Sequence, residues 1–130
     1  MRKLVALGLA VLTTAVILVS ALPAAAGGGD REVIRRGSCS GATDWKLKLK
    51  LDDGRIETEF EVDQNRVGKR WRVVLKRDGV RFFRGIRTTR APSGSFSVER
   101  RTNNTAGTNR IVGRAVSLSS GEVCRGVARI

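Results

Sequence analysis

From residue 44 to the carboxyl end, apolar and polar residues alternate with a period of two. That is the period of a strand with one face in a core and one in water. The clearest run is WKLKLKLDDGRIETEFEV, residues 45–62. No segment places apolar residues at helical spacing, and no repeat of about 20–50 residues recurs. The pattern predicts seven strands, over 44–51, 55–63, 69–77, 80–88, 95–101, 110–118 and 122–130. Turn chemistry separates them. Asp53-Gly54, Asp78-Gly79 and Ser120-Gly121 are expected as two-residue hairpin loops. Residues 64–68 form a longer loop, and Pro92 in 91–94 is barred from a central strand. Asn103-Asn104-Thr105, in the long loop 102–109, matches a glycosylation sequon but suits a turn-rich loop equally well.

A two-residue loop at Asp53-Gly54 sets the register of the first hairpin. Lys46, Lys48 and Lys50 then face Glu61, Glu59 and Glu57 on one side. Trp45, Leu47, Leu49 and Leu51 face Val62, Phe60, Thr58 and Ile56 on the other. A slip of one residue would put every one of these on the wrong face. The ordered charge is therefore a self-neutralised solvent face that specifies register, and it is assigned no ligand. By the same reasoning Leu75 and Trp71 are expected to face Phe82 and Ile86 inside, with Arg72, Val74, Lys76, Arg81 and Phe83 outside. In the last hairpin Ile111, Gly113, Ala115, Ser117, Cys124, Gly126, Ala128 and Ile130 are expected inside. These are mostly small and leave room for Trp45, Trp71 and Phe82. Arg110, Arg114, Arg125 and Arg129 then lie outside with valines between them, because burying four unpartnered arginines would cost too much desolvation.

The amino-terminal residues change the picture of compartment. Met1-Arg2-Lys3 is a cationic start, 4–22 is almost wholly apolar, and Pro23-Ala24-Ala25-Ala26 supplies small residues for cleavage. This reads as a signal peptide over 1–26, or as an anchor if uncleaved, and either places the remainder in the cell envelope or outside the cell. Residues 27–38, GGGDREVIRRGS, are glycine-rich and charged and read as a linker, leaving 39–130 as one domain. In an exported chain the only two cysteines, Cys39 and Cys124, are expected to form a disulfide.

Of the full chain's 25 basic residues, only Arg2 and Lys3 lie in the signal segment, so the remainder keeps 23 against 12 acidic residues. A net positive charge steers a protein toward anionic partners and says nothing of fold. Most of the basic residues are arginine, which suits phosphate and carboxylate recognition. The expected outer face of the second sheet gathers Arg72, Lys76, Arg81, Arg110, Arg114, Arg125 and Arg129 with no acid, and these are the candidate binding residues. The partner class they suggest is an anionic envelope polymer or surface. Sequence-specific nucleic-acid recognition is not expected, because the face lacks stacked aromatics. A protein–protein adhesion module using loops or a sheet edge is the other reading. A monomer is expected.

Catalysis is not expected. The chain has no histidine, so a Ser-His-Asp or Cys-His arrangement is impossible. Asp52, Asp53, Glu57, Glu59 and Glu61 are accounted for by a turn and by lysine pairing. Asp63-Gln64-Asn65 and Asp52-Asp53 are oxygen-rich but too few for calcium, which takes about 6–8 oxygens, so no metal or cofactor is expected.

The run Arg110-Ile111-Val112-Gly113-Arg114-Ala115 followed by Ser120-Gly121, with Trp71 on the third strand, resembles the corresponding parts of immunoglobulin-like and fibronectin type III domains. The chain from 37 to 130 also resembles a group of small secreted proteins of high-GC Gram-positive bacteria. GSCS at 37–40, WKLKLKLDDGRIETEFEVDQNRVG at 45–68, TRAPSGSFSVERR at 89–101 and SSGEVCRG at 119–126 carry that likeness. It implies an all-β, seven-stranded immunoglobulin-like sandwich and export, and no site residues. The cysteines depart from antibody domains, lying before the first strand and on the last, and there is no tyrosine for a tyrosine corner.

Overall fold

The computed structural model describes residues 31–130, so the expected signal peptide and the first part of the expected linker lie outside the described residues. Eight strands occur among them: β1 (Glu32–Ser38), β2 (Asp44–Asp52), β3 (Arg55–Asp63), β4 (Arg70–Arg77), β5 (Val80–Thr88), β6 (Ser95–Asn103), β7 (Arg110–Ser117) and β8 (Val123–Arg129). They form two antiparallel four-stranded sheets, ordered β1-β2-β3-β6 and β5-β4-β7-β8. The core between the sheets includes Leu47, Leu49, Ile56, Phe60, Val62, Trp71, Val73, Leu75, Phe96, Val98 and Ile111. Trp71 is fully buried, and its Nε1–H donates to Gln64 Oε1 at 3.0 Å, so its one polar atom is satisfied.

The linker expected over 27–38 is corrected in its second half, because Glu32–Ser38 is an edge strand paired with β2. Its sequence hides this. Val33 packs against the core, but Arg35 shares its side and is exposed, and Gly37 has no side chain. Gly37 instead offers bare backbone to the Trp45 indole, and a Cβ there would lie 2.6 Å from the ring.

The β2–β3 register is the expected one throughout, from Asp52 opposite Arg55 to Trp45 opposite Val62. On the solvent side Lys46 pairs with Glu59 and Glu61 at 3.6 and 3.7 Å, and Lys48 pairs with Glu32 of β1 at 3.6 Å. Arg101 of β6 joins Asp52 and Glu57 at 3.1 and 3.7 Å. The inner Thr58 is fully buried and its hydroxyl has no hydrogen-bond partner. Thr58→Val keeps shape and β-branching while removing that hydroxyl. It is expected to raise stability by about 1 kcal/mol, read as a higher midpoint in urea unfolding with unchanged slope.

The β7–β8 inner set is as expected, with all eight residues buried. Their pairing is offset by two, Cys124 lying opposite Ala115 rather than Ser117, because the connection is longer than a two-residue loop. A shift of two preserves the faces. Bare glycine backbone on these strands receives aromatic rings from the opposite sheet. Trp45 lies over Gly126 and Phe60 over Gly113, where added Cβ atoms would come within 2.6 and 2.9 Å of the rings. Phe60, rather than Trp71 or Phe82, thus fills the space above Gly113. Gly126→Val is expected to destabilise by about 1–3 kcal/mol, measured by thermal unfolding, since the indole is also closely approached by Gly37 and has little room to move.

The β4–β5 hairpin corrects the sequence reading. Lys76 pairs with Arg81 as expected, but Leu75 pairs with Phe83 and Trp71 with Arg87, because the register shifts between Leu75 and Lys76. The extra residue at this bulge is Phe82, so two consecutive phenylalanines, Phe82 and Phe83, both pack against the core. Phe83 is therefore inside, not outside. The guanidinium carbons of Arg100 and Arg87 lie 4.6 and 5.1 Å from its ring centroid. Beyond the bulge the alternation is reversed: Ile86, expected inside, is 40% exposed, and Arg84 turns outward.

Cys39 and Cys124 form the expected disulfide, joining the segment after β1 to the inner face of β8 and so linking the two sheets. Beside it Thr43 N–H and Oγ1–H donate to Glu122 Oε2 and Oε1 at 3.0 and 2.6 Å. Burial alone would raise the Glu122 pKa, but the bonds from Thr43 and from the Gly41 backbone outweigh it and hold the carboxyl below its usual range. A depressed folded-state pKa contributes stability above the unfolded value, and that stability is lost as pH falls through the folded value. Glu122→Gln is expected to cost about 1 kcal/mol at neutral pH. The gap to wild type should shrink on acidification, when unfolding is followed against pH.

Candidate functional site: the basic outer face of the second sheet

Strand pairing fixes what the outer face of β5-β4-β7-β8 carries. Arg114 and Arg125 stand directly opposite each other, as do Arg110 and Arg129, and Lys76 and Arg81. Arg72 lies opposite Val116 on β7 and Ile86 on β5. The register thus brings all seven candidate residues, Arg72, Lys76, Arg81, Arg110, Arg114, Arg125 and Arg129, onto one face. All are exposed except Arg110, which is half-buried. The sequence reading missed an eighth member. Arg84 pairs with Val74 and is exposed on the same face, because the Phe82 bulge reverses the alternation of β5.

Between the cations run half-buried valines. Val112 faces Val127 and Val116 faces Val123, so arginine pairs and valine pairs alternate along β7 and β8. Successive rows on one face of a sheet are about 6.6 Å apart. Among the described residues none of the eight cations forms an ion pair. Asp78, in the β4–β5 turn at the rim, accepts the Arg110 backbone N–H on its Oδ1 at 2.9 Å.

Like charges placed directly opposite each other on adjacent strands destabilise a sheet, each pair by a few tenths of a kcal/mol up to about 1 kcal/mol. Three such pairs occur here. The other outer face mixes the signs: it too has like-charged pairs, Arg36 with Lys46, Asp44 with Asp63 and Glu59 with Glu99, but Lys46 there is joined to Glu59 and Glu61 by ion pairs. There Glu32, Lys50, Glu57 and Arg101 share one row across all four strands, and Arg36, Lys46, Glu61 and Ser97 share another.

A cleft of about 280 Å³ opens on the basic face, lined by Val74, Lys76, Gly79, Arg110, Val112, Arg114 and Arg125. A wider cleft of about 450 Å³ at the end of the other sheet is lined by both signs of charge, Arg36 and Lys46 with Asp44, Glu61 and Asp63. In the oxygen-rich loops considered for calcium, Asp63 Oδ1 accepts the Asn65 N–H at 3.2 Å and Asp52 pairs with Arg101. Asn109, unremarked in the sequence, is fully buried and organises its loop through bonds to Asn104, Thr105 and Gly107. Its role is architectural, holding the chain where it enters β7.

Compared with known protein families and with curated proteins, the chain matches none.

Proposed function

We propose that this chain is an exported, non-catalytic, immunoglobulin-like module that binds an anionic envelope polymer or surface through the outer face of β5-β4-β7-β8. The observation that carries the reading is eight cations on one face, none of them in an ion pair among the described residues, so that the cost of their three opposed pairs is offset by no salt bridge. The cost is local and avoidable, since any of these exposed positions would accept a neutral residue.

The immunoglobulin-like, fibronectin type III-like assignment is supported by strand order. Without β1, the sheets read β2-β3-β6 and β5-β4-β7-β8, the ABE and C′CFG sets of that architecture. Export is supported by the disulfide, which persists in oxidising compartments, and by the signal-like residues 1–26. Among the described residues no helix is long and apolar enough to cross a membrane. Kinship with the small secreted proteins of high-GC Gram-positive bacteria belongs to the same reading.

The test is retention of residues 27–130 on insoluble anionic cell-wall material. Retention at low salt with release at high salt supports the reading. Retention that survives high salt, or capture by an envelope protein through the loops or a sheet edge, would replace it with the adhesion-module reading.

A further inference from the structure

The cleft on the basic face differs from the rest of that face in how its cations are arranged. Lys76 comes from β4, Arg110 and Arg114 from β7, and Arg125 from β8, so they approach one space from three adjacent strands. Val112 contributes an apolar wall, and Gly79, in the turn, leaves the rim open. No carboxylate lines the space. Elsewhere on the face, Arg72, Arg81 and Arg84 stand outside the cleft.

We infer that this cleft is a subsite for a single tetrahedral oxyanion, so that the anionic polymer is a phosphate or sulfate ester rather than a carboxylate polymer. The inference rests on the polyanion reading above and deepens it. A carboxylate has two oxygens in one plane, and one bidentate arginine fork occupies them. The carboxylate's remaining lone pairs lie in that same plane, so cations arriving from three strands cannot all meet one squarely. A phosphate or sulfate group presents acceptor oxygens in several directions, and can take one fork from Arg114 or Arg125 while Lys76 approaches another oxygen as a point charge. The apolar wall excludes water from one side and strengthens those contacts.

Amide chemical shifts of residues 27–130 in a titration at constant ionic strength test this. The probes are inorganic phosphate, sulfate and malonate, the last a dicarboxylate of matching charge. Phosphate and sulfate are expected to produce saturable shifts centred on Gly79, Arg110, Val112 and Arg114, with affinity at least tenfold above that for malonate. A phosphate affinity above that for sulfate assigns the polymer as a phosphodiester, and equal affinities leave the shared oxyanion chemistry intact. Lys76→Gln and Arg114→Gln should each lower phosphate affinity severalfold, whereas Arg84→Gln, outside the cleft, should not. These side chains are exposed, and retained amide-shift dispersion reports that the variants remain folded. Equal, non-saturating responses to all three anions, with wall retention intact, would overturn the subsite and leave the polyanion reading standing. Loss of wall retention as well would remove both.

Discussion

Reversing Arg114 and Arg125 to glutamate is expected to lower affinity for a linear polyanion at least about a hundredfold and to leave the fold intact. Two charge-assisted contacts are lost, each worth about 1.5–3 kcal/mol, and two repulsions replace them. The pair stands opposite each other on β7 and the edge strand β8, with both side chains exposed. Nothing in the core depends on their charge. Folding should not suffer, because the double reversal merely replaces one like-charged pair by another. The single change Arg125→Glu should raise stability by a few tenths of a kcal/mol up to about 1 kcal/mol, since it converts a repulsive cross-strand pair into an attractive one. Loss of binding beside a gain in stability would separate what the arginines do for the ligand from what they do for the fold. Isothermal titration and thermal unfolding on the same samples measure both.

The second large effect concerns the disulfide. Replacing Cys39 and Cys124 together with alanine is expected to lower stability by about 4–5 kcal/mol, because the bond closes a loop with a sequence separation of 85. A single domain of this size has only about 5–15 kcal/mol in total. The variant should therefore show a much lower denaturant midpoint and a substantial unfolded fraction on warming. The cost has a structural component too: Cys124 is fully buried beneath the Cys39 segment, where Ser40 N–H donates to Val123 O at 2.8 Å. A midpoint shift below about 1 kcal/mol would mean that the unfolded chain is already compact, or that the segment from β1 holds without its covalent tie.

Much of this fold could be read from alternation alone, and the particular successes and failures have physical causes. The β2–β3 register was readable because a two-residue turn, an apolar ladder and a charge ladder all demanded the same pairing. The β7–β8 faces were readable for a different reason, since only one choice avoids burying arginine, although the offset of two was invisible because it changes no face. The bulge at Phe82 was not read, yet the sequence held its signal. Any unbroken alternation that puts Phe82 and Ile86 inside puts Arg84 inside as well, and a buried arginine without a partner argues for an interruption. The edge strand β1 had no comparable signal, because its one core residue, Val33, is followed at inward positions by Arg35 and Gly37. Its evidence lies in the partner, where a half-buried tryptophan is closely approached by Gly37 as well as by Gly126.

The candidate site followed the same pattern. The seven basic residues were readable because their faces depended on parity, which survived the errors in pairing. Arg84 was missed with the bulge that turns it outward. The direct opposition of Arg114 with Arg125 depended on the offset, and it is this opposition that raises the face from a basic surface to one that costs stability.

The measurement that tests the central claim most directly is the salt dependence of binding by residues 27–130 to a linear anionic wall polymer. Engagement of four or five of the cations predicts a straight line of log affinity against log salt with a slope of about −3, from about 0.7 per charge neutralised. The Arg114→Glu, Arg125→Glu double variant should flatten that slope by about 1.4 if any binding survives to be measured. An affinity unchanged between about 50 and 200 mM salt, or a slope unaffected by the double reversal, would contradict the claim that this face is the binding surface.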